Sequence, residues 1–575
     1  MERQRLLSSL VPGPRLVLGA CAVLGAGLAG AHALSYARAP SATSQTATSH
    51  AARAGHGHGA AGGRVELQLL GVNDLHGHLE PSAPERSSSG RRASRGGVAW
   101  LAGHLDRAER AYPGRTLRVH AGDMVGASPL VSSHFHDEPT IKALNLLRFD
   151  VGTLGNHEFD EGRGELRRLL GGGRRRGPEA VKRGAGGRPD NTSDPAFAGA
   201  GFPYVAANAV DARGRALLPP YTIVERAGAR IGFIGVTTRS APDFLLARDA
   251  SGLRFRDLSA SVNRHARALR RRGVESIVVL AHAGGVEREE GNASGEIIDE
   301  TRQMTDAVDV VVAGHSHSVL DTTVPNRRGR GGKLIVEAAE YGGAYGRVLL
   351  TIDRASGDVV DKRASVRRTW HDRASPERRL AALTAGYAAR SSGLARRVVG
   401  RVAEDLRPRN AEANAPGGLG DVVADAQWAL ARADVALVDP VSIRASLMAG
   451  AVTYSDLFDV APYEHPIVRV RVTGAHLTDL LERQAAQRKA PELCASGLRY
   501  DVDHAGSAGN RLVGVALPDG RPLDPRRTYS LAVSEQLLSG KRFALPRRIH
   551  GAPEPVGTEL EALVVWFERT SGRSP

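Results

Sequence analysis

Cysteine is almost missing from this chain: Cys21 and Cys494 are the only two in 575 residues. Cys21 lies in an N-terminal apolar run, so a chain processed near Leu34 keeps Cys494 alone and has no internal disulfide framework. Aromatic residues make up only 5%, and the abundance of Ala, Arg and Gly points as much to a GC-rich genome as to any physical demand. Acidic residues fall short of basic ones, 62 against 77, for a net charge of +15. That excess invites a nucleic-acid reading. However, residues 163–188 alone hold nine basic and two acidic residues, and no RNP, zinc-finger or helix-turn-helix pattern accompanies them. A solvated Gly/Arg-rich loop accounts for the stretch, and no specific nucleic-acid partner is expected. No second long apolar run follows the first, so any membrane attachment is expected at the N-terminus alone.

That N-terminus reads MERQR and then LVLGACAVLGAGLAGAHAL (16–34), uncharged throughout. A short positive head, an apolar stretch and an Ala31-His32-Ala33 ending fit an export signal over residues 1–34. Left uncleaved it would be an anchor; LGAC (18–21) also looks like a lipoprotein box, but an apolar run and no polar tether follows Cys21. Residues 35–64 are low-complexity and read as a linker. The body is therefore expected outside the cell, secreted or held at its surface.

From Val65 onward, short β-branched or Leu-rich runs alternate with amphipathic stretches. VELQLLGV (65–72), TLRVHA (116–121), FDVGTL (149–154), PYVAAN (203–208), ARIGFIGV (229–236), ESIVVLA (275–281) and VDVVVAG (308–314) read as strands, with helical patterns such as 97–112, 139–147 and 259–273 between them. This alternation predicts an α/β sandwich. KLIVEA (333–338) and GRVLLTID (346–353) suggest an antiparallel closing pair, and 374–396 a helix joining two halves.

Polar clusters sit at the far ends of five of these strands: Asp74 and His76 in NDLHGH, Asp123 in AGDMVG, Asn156, His157 and Asp160 in GNHEFDEG, His282 in LAHAGG, and His315 and His317 in VAGHSHS. Strand C-terminal ends in an open α/β sheet converge on the ligand crevice. Ionisable groups gathered there cost desolvation energy unless something pairs with them. Two carboxylates, an amide and several imidazoles, without a thiolate, suit zinc, manganese or iron better than calcium. The donors are too many for one tetrahedral ion. Two ions sharing a carboxylate, the arrangement that clamps phosphoryl transfer, fit the count. His134 and His136 read as structural, His78 and Glu80 are left unassigned, and Glu158 is expected to point away.

Taken in order, NDLHGHLEP, AGDMVGASPL, GNHEFDEG, LAHAGG and VAGHSHS resemble the motif series of calcineurin-like metallophosphoesterases, and more narrowly the 5'-nucleotidase / UDP-sugar hydrolase family, from about Val65 to Phe567. The resemblance implies a four-layer α/β/β/α metallophosphoesterase sandwich over 65–370, a linker helix over 371–400, and an α+β substrate-binding domain over 401–570. It implies that Asp74, His76, Asp123 and His317 hold one divalent ion, and that Asp123, Asn156, His282 and His315 hold the other, with Asp123 bridging. His157 and Asp160 correspond to the catalytic dyad. In the C-terminal half, Arg444 matches a substrate-gripping arginine, Arg409 a weaker one, and Tyr463 one half of an aromatic clamp for the base. Gln536 stands where the second clamp aromatic is expected, Gly540-Lys541-Arg542 replaces an acidic element, and Asp439, Val441 and Ser442 alter the arginine's loop. Losing one stacking face forfeits ~1–3 kcal/mol. The family therefore implies a monomeric, exported phosphohydrolase acting on nucleoside 5'-monophosphates or related phosphate esters. Cyclic-nucleotide diesters, nucleotide sugars, or a surface binding role with little turnover are the alternatives.

Overall fold

The first strand of the body shows how the sequence sets the architecture. In Arg64–Val72 every residue from Leu67 onward is buried, the continuous pattern of a strand covered on both faces. The computed structural model describes residues 63–86, 92–174, 192–287, 292–329, 331–408, 418–486, 492–503, 505–507, 509–539 and 548–570. The expected leader at 1–34, most of the 35–64 linker, 175–188 of the basic stretch, Arg409 and Gly540-Lys541-Arg542 lie outside the described residues. Residues 61–575 make one compact unit, and no described helix is long and apolar enough to cross a membrane.

Two six-stranded sheets face each other. The first runs Val359–Arg368, Ala344–Asp353, Arg64–Val72, Thr116–His120, Val151–Thr153 and Tyr204–Val205. Its last four strands are parallel, and the two C-terminal strands are added antiparallel. The second runs Val319–Pro325, Gly332–Ala338, Val310–Ala313, Ser276–His282, Ala229–Thr237 and Tyr221–Arg226, with a parallel centre and antiparallel edges. Leu67, Leu69, Val119, Val151 from one sheet and Val278, Leu280, Val310, Val312 from the other form the dry layer between them. Helices Val98–Glu109, Glu138–Leu147 and Arg378–Ala395 contribute to the core on the outer face of the first sheet, and Leu258–Arg270 and Glu296–Gln303 to that of the second. The result is the expected four-layer sandwich. The joining helix begins at Arg378 because Glu377 caps it, its carboxylate accepting from Leu380 N at 2.8 Å.

One expected pairing fails. Gly332–Ala338 and Ala344–Asp353 do not form a hairpin. The first belongs to the second sheet and the other to the first. Both strands are buried in the inter-sheet layer, and the short connection at 339–343 carries the chain across from one sheet to the other.

Beyond the joining helix, a five-stranded mixed sheet runs Cys494–Ser496, Val435–Val438, Thr528–Ser534, Pro466–Thr473 and His550–Thr558. Helices Leu419–Ala431 and Glu559–Thr570 pack on one face, and Gly474–Ala485 with Glu535–Ser539 on the other. Cys494 is fully buried on the edge strand of this sheet.

Candidate metal centre

The register aligns the parallel strands so that their C-terminal ends reach one rim: Val72 pairs with His120, Ala281 with Ala313 and His282 with Thr237. Turns then carry the donors inward. Asp74, His76, Asp123, His315 and His317 all adopt left-handed backbone, with φ of 49°, 47°, 50°, 84° and 56°. Non-glycine residues held in sparsely populated conformations cost of order 1–3 kcal/mol each and cluster at functional sites. Gly155 lets two turns touch: a Cβ there would run into the Asp123 carboxylate.

All nine strand-end candidates come together. Three groups of donor atoms lie mutually within 4.8 Å: Asp74, His76 and His317; His76, Asp123 and His157; and Asp123, His282 and His315. His282 Nε2 stands 2.9 Å from Asp123 Oδ2 and 3.2 Å from Asn156 Oδ1. His76 Nε2 and His317 Nε2 are 3.1 Å apart, and each lies within 4 Å of Asp74 Oδ1. The tautomers follow from the partners. His76 Nδ1 donates to Gly126 O and His282 Nδ1 to Ala121 O, both at 2.9 Å, so each ring turns Nε2 toward the centre and, when neutral, offers its lone pair there. Lone pairs and carboxylate oxygens converging without hydrogens repel unless a cation lies among them, so this donor set fits divalent metal.

Burial holds His76 well below the usual imidazole range, and so available as a neutral donor. Burial also opposes ionisation of Asp74, but the His317 hydrogen bond and the His282 and His317 imidazoles outweigh it and bring the carboxyl to about 2. The dyad adjoins these groups through His157, which shares one of them with His76 and Asp123. His157 Nδ1 donates to Asp160 Oδ2 at 2.8 Å, and its Nε2 lies 4.0 Å from Asp123 Oδ2. Burial pulls His157 down, yet the Asp160 and Asp123 carboxylates more than reverse this and raise it above 6.5.

Glu158 does not point away. It is buried and accepts from three backbone N–H groups, Asp123 at 3.0 Å, Met124 at 2.8 Å and Gly155 at 2.6 Å, clasping the two turns that carry Asp123 and Asn156. Burial, then the Asp123 charge, pushes its pKa up to about 7. Glu337, buried on Gly332–Ala338, does the same for the histidine turn. Its Oε1 accepts from Ser316 N and Ser318 N, both at 3.2 Å, and from Ser316 Oγ at 2.8 Å. Asn73 ties the first turn to the cross-over connection, donating to Asp74 Oδ2 and Ala339 O and accepting from Ala338 N. A strand interior (Glu337) and a residue beside the dyad (Glu158) carry no sequence signal that separates a buried acid from a surface one.

The C-terminal half reaches the same rim. Arg444 Nη2 donates to Tyr341 Oη at 3.3 Å, and the Tyr463 ring lies 5.6 Å from His157 at 24°. Tyr463 also stacks on His465. A cavity of about 550 Å³ opens beside the dyad, with His157, Asp160, Phe244, Arg248, Tyr463 and His465 in its wall. Gln536 donates to Asp243 O at 3.4 Å, and His78 stacks on Tyr341. Tyr341 and Phe244 were not foreseen from sequence.

Residues 398–544 match the family description "5'-nucleotidase, C-terminal domain". The crystal structure of a 5'-nucleotidase precursor from Thermus thermophilus superposes with a TM-score of 0.72 at 26% identity, over 88% of this chain and 97% of that one. The chain belongs to the 5'-nucleotidase family. Among curated relatives, "Endonuclease YhcR" of Bacillus subtilis (strain 168) is 33% identical over 516 residues, covering 88% of this chain and 40% of that protein. "Cell wall protein Lmo0130" of Listeria monocytogenes is 31% identical over 531 residues, covering 84% and 64%. The chain thus spans less than two thirds of either of these relatives. The described body joins a four-layer α/β/β/α sandwich to a segment that matches the 5'-nucleotidase C-terminal domain.

Proposed function

We propose that the chain is an exported, dinuclear metal-dependent phosphohydrolase that releases phosphate from nucleoside 5'-monophosphates or related organic phosphate esters. One observation carries the reading: Asp123 belongs to two donor groups at once, with His282 and His315 on one side and His76 and His157 on the other, and His76 also joins Asp74 and His317 in a third. That is the arrangement of a carboxylate shared by two ions. Asp74, His76 and His317 would complete one site, and Asn156, His282 and His315 the other. Nitrogen and oxygen donors without thiolate favour zinc, manganese or iron. When bound, such ions neutralise phosphoryl oxygens and lower the pKa of water.

The chain's own residues supply the rest. Asp160 fixes the His157 ring through Nδ1 and favours its protonated form, so Nε2–H is held toward the centre. There it donates to a phosphoryl or leaving-group oxygen as negative charge develops. Arg444 brings a fixed positive charge for the phosphate, and Tyr463 offers an aromatic face for a base. Export is supported by the signal-like N-terminus and by a relative named for the cell wall.

Phosphodiester cleavage is the second reading, favoured by the relative named an endonuclease and by Gln536 in place of a second clamp aromatic. Release of phosphate or alcohol from AMP, UDP-glucose, 2',3'-cyclic AMP and bis-p-nitrophenyl phosphate, measured on metal-analysed protein, separates the two. Cleavage of the diesters alone would overturn the nucleotidase assignment, and activity in metal-free protein would overturn the mechanism.

A further inference from the structure

Tyr341 sits in the short connection that crosses between the sheets, and both its backbone and its ring are held. Its N–H donates to Asp74 O at 2.7 Å. Its ring stacks on His78, with centroids 3.8 Å apart, and meets His76 and His317 edge-on at 6.0 and 5.7 Å. Its backbone is left-handed, φ 58°, a conformation a bulky aromatic adopts only where its surroundings impose it. The ring is therefore locked against two imidazoles of the centre, on the side from which the C-terminal half approaches.

The hydroxyl is the informative part. A guanidinium can only donate, so in the 3.3 Å contact with Arg444 Nη2 the Tyr341 oxygen is the acceptor. The phenolic hydrogen is then uncommitted: among the described residues no acceptor stands within hydrogen-bond reach of it. A cation donating to the oxygen also polarises the O–H and makes it a stronger donor. Arg444 uses one N–H on Tyr341 and keeps others for a ligand.

We propose that Tyr341 is a phosphate-holding residue: with one lone pair occupied by Arg444, it presents its hydrogen to an oxyanion of the bound phosphate. The inference rests on the hydrolase reading above. The pair offers a guanidinium and a polarised hydroxyl side by side, matched to two oxygens of one tetrahedral anion. A ring needed only for packing beside His76 and His317 would do as well without the oxygen, and this separates the two explanations.

Tyr341→Phe removes that oxygen and keeps the ring. In manganese-reconstituted full chain, the inhibition constant of inorganic phosphate against ester hydrolysis rises about three- to tenfold, with bound metal and Tm unchanged. An unchanged inhibition constant overturns the proposal. So does loss of metal in the variant, since Tyr341 would then be supporting the histidines. Should the wild type hydrolyse no ester, the hydrolase reading fails, and titration calorimetry with inorganic phosphate still decides Tyr341. Equal affinity in the two proteins, or none in the wild type, overturns the proposal.

Discussion

Replacing Glu158 with Ala should loosen the centre without touching a single donor side chain. Its two carboxylate oxygens accept from Asp123 N, Met124 N and Gly155 N, and all of these partners are within the buried rim. The substitution leaves three buried N–H groups without acceptors. At ~1–3 kcal/mol for each unsatisfied group, and allowing for partial relaxation, the native turns lose roughly 3–6 kcal/mol. Only part of that reaches the metal, because the turns also hold each other through Asp74 N to Gly122 O and His157 N to Asp123 Oδ1. The expected outcome is a 10- to 100-fold weaker metal affinity, the range for losing a group that orients ligands. Glu158→Gln should fall between, since its amide oxygen still accepts while its NH₂ meets donors. Competition against a chromophoric chelator reads the affinities directly. If Glu158→Ala binds metal within twofold of wild type, the clasp is irrelevant to the site and the reasoning is wrong.

Three further outcomes are expected. His157→Ala should keep its metal, measured by elemental analysis, and lose ~10²- to 10⁴-fold in kcat; loss of metal instead would show that His157 acts as a ligand. Dialysis against a strong chelator should abolish hydrolysis, lower Tm and be reversed by added divalent ion, because ligand binding stabilises the native state by mass action. Glu559 tests electrostatics behind the cavity wall, where its Oε2 lies 3.6 Å from His465 Nδ1: burial, with Asp439 adding, raises its carboxyl from 4.5 to about 8. The folded chain then keeps a proton that the unfolded chain has released, so stability falls as pH rises from about 4.5 to about 8. At ~1.4 kcal/mol per pKa unit the full effect is on the order of 3–5 kcal/mol. Thermal melts of Glu559→Gln should show a smaller decline between pH 5 and 8, and parallel profiles would refute the assignment.

The strands that build the rim were legible because they are buried on both faces and read as unbroken apolar runs. The ionisable residues just after them were legible because nothing else explains charge at a buried strand end. Where a residue's environment depends on a distant partner, the sequence was silent. Val359–Arg368 is an edge strand with four arginines or lysines and much of its surface exposed, so it carries no apolar period. Gly332–Ala338 and Ala344–Asp353 look like neighbours by proximity, but the choice of sheet depends on which layer has an open edge. Glu158 and Glu337 carry no local mark of burial, and the Tyr341 hydroxyl meets its partner only when the C-terminal half delivers Arg444.

The left-handed turns have a consequence for anyone wishing to change the ion. Among residues other than glycine, Asn, Asp and His enter that region of backbone space most readily. Asp74, His76, Asp123, His315 and His317 are all drawn from that short alphabet. Their identity answers to the backbone as well as to the cation, so exchanging them for Glu or Cys to recruit a different element would fight the turn before it ever tested the coordination chemistry.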